Sequence, residues 1–213
     1  MAYQSFWYKT NLTQEMVDII VRDLKNNDIE NSLEESTLLG GHINHKQRKS
    51  KNSWVYSSYW LSGYIWFYIN KINEENFRYD LTGIDNDAIQ YTQYGEGEFY
   101  NWHVDGTFKD LYEFTSTKTS SVNESTQEIK SKEFLKANTE FVRKLSFTIQ
   151  LSDPDSYEGG DVKMIDDNNL LYTVPREMGT IVVFDSRTKH RVRKVTKGVR
   201  RSLVGWCVGP RWR

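Results

Sequence analysis

Residues 94–105 read YGEGEFYNWHVD and combine two glycines, several aromatic residues and one of the four histidines of the chain. Its glycines interrupt regular structure, whereas the aromatic residues after them favour a β-strand. Residues i and i+2 of a strand point to the same face, so His103 and Asp105 should project together. An imidazole and a carboxylate at that spacing can occupy adjacent positions on one metal ion. The stretch therefore predicts a strand that presents two metal ligands.

A third ligand has few sources, because the chain contains only four histidines. His190 opens the alternating segment HRVRKV and is the natural choice. His42 and His45 lie in HINHKQRKSKNS, residues 42–53, a polar stretch without periodicity that we interpret as a loop with solvated histidines. Two histidines and one carboxylate on one face form the facial triad of non-haem Fe(II) oxygenases, which leaves positions open for a cosubstrate and oxygen. A His-x-Asp pair alone is a weak signal, so this hypothesis depends on the residues after His190.

Arg200 begins the last apolar segment, RRSLVGW, after a Thr-Lys-Gly turn. An arginine that points into the interior of a β-protein is costly unless an anion pairs with it, and its planar fork matches a carboxylate. Ser202 would share its face and could donate a second hydrogen bond. The sequence leaves two alternatives open: Arg200 faces an interior anion, or Arg201 points inward and Arg200 belongs to a basic surface.

Short segments rich in β-branched and aromatic residues succeed one another from residue 88 onward, with turn residues between them. Eight such strands predict a sandwich, barrel or jelly roll. Before them, the 3.6-residue periodicity predicts helices over 13–27 and 61–73. Residues 115–132 hold nine Ser or Thr out of eighteen and are predicted to be a flexible insert. The predicted strands are AIQYTQY, FYNWHVD, KLSFTIQL, DVKMI, LLYTV, GTIVVF, HRVRKV and RSLVGWCV.

The composition is that of one domain of 213 residues. Cys207 is the only cysteine, which fits a reducing compartment, and neither a secretory signal nor a membrane-spanning run is apparent; a cytoplasmic location is expected. Residues 187–213 contain ten Lys or Arg and no acid. A strand with a basic outer face explains this run, and attraction to nucleic acid or an acidic partner is the alternative.

Two sets of residues resemble the prolyl 4-hydroxylase-like family of 2-oxoglutarate- and Fe(II)-dependent dioxygenases. The resemblance covers roughly residues 88–210, in order and at family-like spacing. The first set is Tyr94, Gly97, Tyr100, His103 and Asp105. The second set is Arg143, Ser146, Leu151, the run YEGGD, Gly179, Phe184, Ser186, His190, Val192, Val195, Gly198, Arg200 and Trp206.

This resemblance implies a mainly β fold, a double-stranded β-helix (a cupin-like jelly roll) with N-terminal helices packed against it. Residues 1–87 would form the helical support region and residues 88–213 the catalytic core within one structural domain. The insert at 115–132 would be either a lid over the site or a disordered segment.

The resemblance also implies the site. His103, Asp105 and His190 would bind Fe(II), and Arg200 would bind the distal carboxylate of 2-oxoglutarate, which decides the orientation that the sequence left open. Four further residues would contact or line the cosubstrate pocket, although many relatives have an aromatic residue in place of the glutamine, and core packing is an equal alternative for the tryptophan. These residues are Tyr94, Gln150, Ser202 and Trp206.

The implied activity is hydroxylation of a substrate C–H by oxygen and 2-oxoglutarate, with succinate and CO2 as co-products and ascorbate as an optional reductant. A peptidyl prolyl residue is the first expectation for the substrate, in a peptide or protein. A free amino acid or other small molecule is the second. An enzyme acting on nucleic acid is less favoured, no membrane partner is expected, and a non-catalytic jelly-roll binding module is the alternative of a different class.

Overall fold

The computed structural model describes residues 6–10, 12–38, 41–56, 60–106 and 141–210. These residues form two α-helices, Gln14–Asn26 (α1) and Trp60–Ile72 (α2), close to the two helices predicted. The predicted Ser/Thr-rich insert at 115–132 lies outside the described residues. Within the described ranges, no helix combines the length and apolar character needed to cross a membrane.

The strands are numbered in chain order. Those that precede residue 88 are Phe6–Thr10 (β1), Glu34–Glu35 (β2), Arg48–Lys49 (β3), Lys51–Tyr56 (β4) and Gly83–Ile84 (β5). Those from residue 88 onward are Ala88–Tyr94 (β6), Phe99–His103 (β7), Phe141–Gln150 (β8), Tyr157–Gly159 (β9), Val162–Ile165 (β10), Leu171–Thr173 (β11), Thr180–Asp185 (β12), Lys189–Val192 (β13), Val195–Gly198 (β14) and Arg200–Pro210 (β15). A π-helical turn, Asn73–Phe77, and two 3₁₀ turns, Asp85–Asp87 and Pro154–Ser156, complete the described elements.

Two sheets dominate the described part of the chain. The larger has eight strands in the order β1-β12-β8-β15-β6-β4-β2, with β5 also paired to β15. The smaller has five, in the order β11-β10-β13-β7-β3, and β9 pairs separately with β14. The pairs are antiparallel throughout. This is the mainly β jelly-roll architecture that the family resemblance predicted.

The larger sheet is covered on both faces. The helices pack on its outer face, where Val17 and Ile65 join Ile89 and Leu203 in the main apolar core. The smaller sheet faces the inner side, where a second cluster includes Met164 and Phe184. Because side chains alternate along a strand, each central strand supplies one set of residues to the helices and another set to the space between the sheets.

The N-terminal residues do more than supply helices. β1 pairs with β12 along one side of the larger sheet, and β4 pairs with β6 on the other. Strands on both sides of residues 87 and 88 thus belong to one sheet. The division into a support region, 1–87, and a catalytic core, 88–213, stays a prediction.

The prediction of a loop over residues 42–53 was wrong. β3 lies within it and β4 begins in it. The segment shows neither helical nor alternating hydrophobicity because β4 buries polar residues. Asn52 and Ser53 are both buried, and the Ser53 hydroxyl lies 2.6 Å from that of Ser32. Backbone pairing with β6 fixes this strand, and side-chain patterns do not reveal such pairing.

The segment HRVRKV, predicted as one strand, divides into β13 and β14. The break lies at residues 193–194, where the Arg193 N–H donates to the Asp161 carbonyl at 2.9 Å and leaves the sheet. β13 remains in the smaller sheet beside β7, whereas β14 pairs with β9.

Candidate active site

His103 and His190 lie directly opposite each other on β7 and β13. Asp105 is two residues beyond the end of β7, not on the strand as predicted. Its N–H donates to the Ser186 carbonyl at 2.9 Å, which turns the chain toward the connection between β12 and β13. The carboxylate therefore reaches both imidazoles: its Oδ1 is 3.6 Å from His103 Nε2 and its Oδ2 is 3.5 Å from His190 Nε2.

The three residues form a potential metal site, with their ligand atoms all within 4.8 Å of one another. His103 Nδ1 lies 2.7 Å from the Asn101 carbonyl oxygen, and His190 Nδ1 lies 2.9 Å from that of Thr188. A carbonyl can only accept, so each Nδ1 must carry the proton, and each Nε2 presents a lone pair to the centre. Two Nε2 lone pairs and one carboxylate suit Fe(II) well.

The surroundings of His103 and Asp105 favour the protonation states that a metal requires. Burial, with the nearby His190 as the next cause, lowers the pKa of His103 to about 4, so its ring is neutral near pH 7. Burial opposes ionisation of Asp105. The pKa of its carboxyl is nevertheless lowered, because His190, His103, a hydrogen bond from Ser146 and the charge of Arg143 favour the carboxylate.

Aromatic rings hold the imidazoles from the side. The Tyr100 ring stacks on His103 with centroids 3.6 Å apart, and Phe184 meets His190 edge-on at 4.7 Å. Tyr100 belongs to the motif that carried the family resemblance, but no role had been predicted for it. His42 and His45 lie away from this centre: both are exposed, and His45 pairs with Glu35 at 3.3 Å.

Arg200 points into the interior and is 3% exposed, so the inward alternative is the one the fold adopts. Its Nη1 donates to Ser202 Oγ at 3.2 Å and its Nη2 to Gln150 Oε1 at 2.8 Å. Its Nε has no acceptor and no carboxylate pairs with it among the described residues. Burial lowers its pKa, as expected for a cation without a counter-ion.

A cavity between the two sheets joins the candidate metal ligands to Arg200. Most of the residues predicted for the site line it, and Gln150 lines the adjoining recess beside Arg200. The guanidinium of Arg200 lies 5.8 Å from the Tyr94 ring centre. The predicted site residues that line the cavity are Tyr94, His103, Asp105, His190, Arg200, Ser202 and Trp206.

Two residues of this region escaped the sequence analysis. Arg48 lines the cavity from β3, where its Nη2 donates to Gln90 Oε1 at 2.9 Å. Tyr157 lines the recess, with its hydroxyl oxygen 2.6 Å from Gln150 Nε2. Arg48 stood in a polar stretch interpreted as a loop, and Tyr157 opens the run YEGGD, which supported the family resemblance without a predicted role for the tyrosine.

Comparison with known proteins agrees with this geometry. The sequence model of the 2OG-Fe(II) oxygenase superfamily matches residues 89–208, and the chain belongs to this superfamily. Fe(II) and 2-oxoglutarate are the cofactor and cosubstrate from which the family takes its name, and oxygen is the second cosubstrate of its members.

Two curated relatives are PKHD-type hydroxylases. The one from Parvibaculum lavamentivorans is 47% identical over 62 residues, which cover 29% of this chain and 28% of the relative. The one from Rippkaea orientalis is 29% identical over 120 residues, which cover 56% of this chain and 41% of the relative. The matched parts thus span less than half the length of these curated relatives.

Solved structures share the fold at low sequence identity. A Pseudomonas putida prolyl-4-hydroxylase superposes with a TM-score of 0.66 at 17% identity, covering 97% of this chain and 93% of that one. A prolyl hydroxylase from Trichoplax adhaerens, solved with a hypoxia inducible factor peptide fragment, gives 0.69 at 15% identity, covering 95% and 83%.

Proposed function

We propose that this protein is an oxygenase that hydroxylates a substrate C–H with oxygen and 2-oxoglutarate. The substrate that we favour is a prolyl residue of a peptide or protein. The observation that carries the proposal is the shared cavity: a His-Asp-His cluster suited to Fe(II) lies in the same space as a buried arginine that lacks an anionic partner. The two halves of a 2-oxo dicarboxylate require these two kinds of partner.

Each residue would have a defined task. His103, Asp105 and His190 would hold Fe(II), and Arg200 would hold the distal carboxylate, with Ser202 fixing the orientation of the guanidinium. The chemistry that bound Fe(II) supplies in this family is oxidative decarboxylation of 2-oxoglutarate to succinate and CO2, coupled to oxygen insertion into a C–H bond. Met164, Phe184 and Val192 line the cavity and exclude water from the reaction.

A peptide substrate is supported by the surface around the cavity. A wide groove shares Arg48, Tyr100, Asp105 and Trp206 with the cavity and continues past the exposed Trp54. Trp206 lines both the groove and the cavity, so a peptide bound in the groove would extend to the site. The relatives named as PKHD-type hydroxylases and the peptide complex of the Trichoplax enzyme point in the same direction.

Arg48 favours a second candidate, a free amino acid or other small carboxylate. This guanidinium is buried at the cavity, 4.8 Å from the Tyr100 ring centre, and no carboxylate pairs with it among the described residues. The formal charges of Fe(II), Asp105, 2-oxoglutarate and Arg200 cancel, which leaves the charge of Arg48 for the substrate to balance. A substrate with its own carboxylate would do so.

Succinate formation from 2-oxoglutarate by purified protein with Fe(II) and air tests the proposal. The assay is run with proline-containing peptides and free amino acids, with the His190→Ala variant as the inactive control. Succinate that depends on iron and His190 is expected, with stimulation by peptides. Stimulation by free amino acids alone, lost on Arg48→Gln, would favour the second candidate, and bound iron without succinate would favour a binding module. Stimulation of turnover by ascorbate, a cytoplasmic location and a lid formed by the insert at 115–132 remain predictions.

A further inference from the structure

The hydrogen bonds around Gln150 have only one possible polarity. A guanidinium donates and never accepts, so the atom of Gln150 that faces Arg200 Nη2 at 2.8 Å must be the carbonyl oxygen Oε1. The amide nitrogen Nε2 then faces the Tyr157 hydroxyl oxygen at 2.6 Å and must donate to it. The hydroxyl oxygen of Tyr157 is therefore an acceptor in this contact.

A tyrosine hydroxyl that accepts still has its own proton to donate. No acceptor for that proton occurs among the hydrogen bonds of the residues that the structure describes. Tyr157 is 3% exposed, so bulk water does not readily supply one. Gln150 and the Arg200 guanidinium, its neighbours in the recess, both present donors to it. The proton is therefore available to an oxygen atom of a ligand bound in the recess.

The ring of Tyr157 is fixed in place. The Arg176 guanidinium stacks on it at 4.3 Å and is itself held by the Tyr157 and Pro154 carbonyls, at 2.8 and 3.2 Å. On the other side, a Cβ at Gly160 would lie 3.1 Å from the ring and 3.2 Å from Arg200 Cδ. The absence of a side chain at Gly160 thus allows Tyr157 and Arg200 to lie side by side in one recess.

We propose that Tyr157 donates a hydrogen bond to the distal carboxylate of 2-oxoglutarate alongside Arg200. Gln150 is then a positioning residue that fixes the direction in which the Tyr157 hydroxyl and the Arg200 guanidinium donate. This assignment rests on the proposed function. It makes Tyr157 a specificity-determining residue. Its hydroxyl group stabilises a bound cosubstrate that ends in a carboxylate and does not stabilise a 2-oxo acid that ends in a methyl group. Gln150 itself acts through Tyr157 and Arg200, whose donors it directs.

Calorimetric titration of the Zn(II)-loaded protein measures cosubstrate binding without turnover. Tyr157→Phe should weaken 2-oxoglutarate binding roughly tenfold or more, the range for one hydrogen bond to a charged group, and should leave the binding of 2-oxopentanoate unchanged. Tyr91→Phe is the matched control, because its buried hydroxyl faces Glu30 and Arg201 outside the cavity. This control should bind 2-oxoglutarate like the parent protein.

Equal loss for both ligands, or no loss for either, in a Tyr157→Phe protein that unfolds like the parent would overturn the assignment. Failure of the proposed function is separately visible: the parent would then bind no 2-oxoglutarate, or Arg200→Ala would bind it as tightly as the parent. If the single substitution Gln150→Leu weakens 2-oxoglutarate binding by twofold or less, the positioning role is contradicted. That substitution removes the amide that directs both donors.

Discussion

Hydrogen bonds to backbone carbonyls decide which nitrogen of each histidine faces the candidate metal site. His103 and His190 each donate from Nδ1 to the carbonyl two residues before them, Asn101 and Thr188. The same local arrangement on two facing strands orients both Nε2 atoms toward Asp105. A side chain that is fixed in this way needs little reorganisation when a metal binds, which favours affinity.

Arg200 is the residue whose removal should separate cosubstrate binding from metal binding. Arg200→Ala should weaken 2-oxoglutarate binding roughly a hundredfold, because a buried charge-assisted contact is lost. Fe(II) affinity should stay within about twofold, since the metal ligands are on other strands. Measuring KM for 2-oxoglutarate and iron stoichiometry on the same preparation checks both. An unchanged KM would show that the anion binds elsewhere.

At this scale the sequence predicted what local spacing can reveal. His103 and Asp105 stand two residues apart, and only four histidines are available in the chain, so the cluster of candidate metal ligands was within reach. Arg48 and Tyr157 were not, because their partners, Gln90 and Gln150, lie on other strands. Strand register brings such residues together, and register does not follow from composition.

The central strands of the larger sheet have an apolar outer set and a more polar inner set of side chains. On β6, Ile89 and Tyr91 face the helices, whereas Gln90 and Thr92 line the cavity. On β15, Leu203 faces the helices and Arg200 the cavity. Both sets are buried, so β6 is a nearly continuous buried run even though only one face is apolar.

The turn at Gly159 should be intolerant of any side chain. Gly159 has φ of +71°, and an added Cβ would lie 2.3 Å from the Lys194 carbonyl oxygen, so Gly159→Ala should cost about 2 kcal/mol or more of the free energy of unfolding. Gly63→Ala is the matched control. Nothing lies within 4 Å of its Cβ, and it sits within α2, so it should gain about 0.5–1 kcal/mol.

Urea unfolding of the two variants beside the parent checks these opposite signs. Because Gly159 directly precedes Gly160 and ends the strand that holds Tyr157, the alanine variant should also bind 2-oxoglutarate less tightly. A Gly159→Ala protein as stable as the parent would mean that the turn has another backbone conformation.

At the scale of the whole molecule, one sheet supports two layers with different tasks. The helices close its outer face with a large apolar core, and the smaller sheet encloses the cavity against its inner face. The helices and the β-rich second half were predictable because their periodicity is strong. The contribution of β1 and β4 to the larger sheet was not, since long-range strand pairing leaves no local signature.

Cys207 reports on the integrity of this outer core. Its side chain is fully buried between β15 and the helices, and burial, with a smaller effect of Asp85, raises the pKa of its thiol. A protonated and inaccessible thiol is unreactive. Iodoacetamide should therefore leave the native protein unmodified at pH 8 and label it in step with urea unfolding, as monitored by mass spectrometry. Rapid labelling without urea would show that the core opens locally.

The central claim is that one cavity binds Fe(II) through His103, Asp105 and His190 and 2-oxoglutarate through Arg200. Its most direct test is an anaerobic titration of the Fe(II)-loaded protein with 2-oxoglutarate, monitored by the visible charge-transfer absorption of an iron–2-oxo acid chelate. We expect a saturable band at one equivalent of iron, absent in His190→Ala and shifted to much higher 2-oxoglutarate concentration in Arg200→Ala. No band in the parent protein, or the same band in His190→Ala, would contradict it.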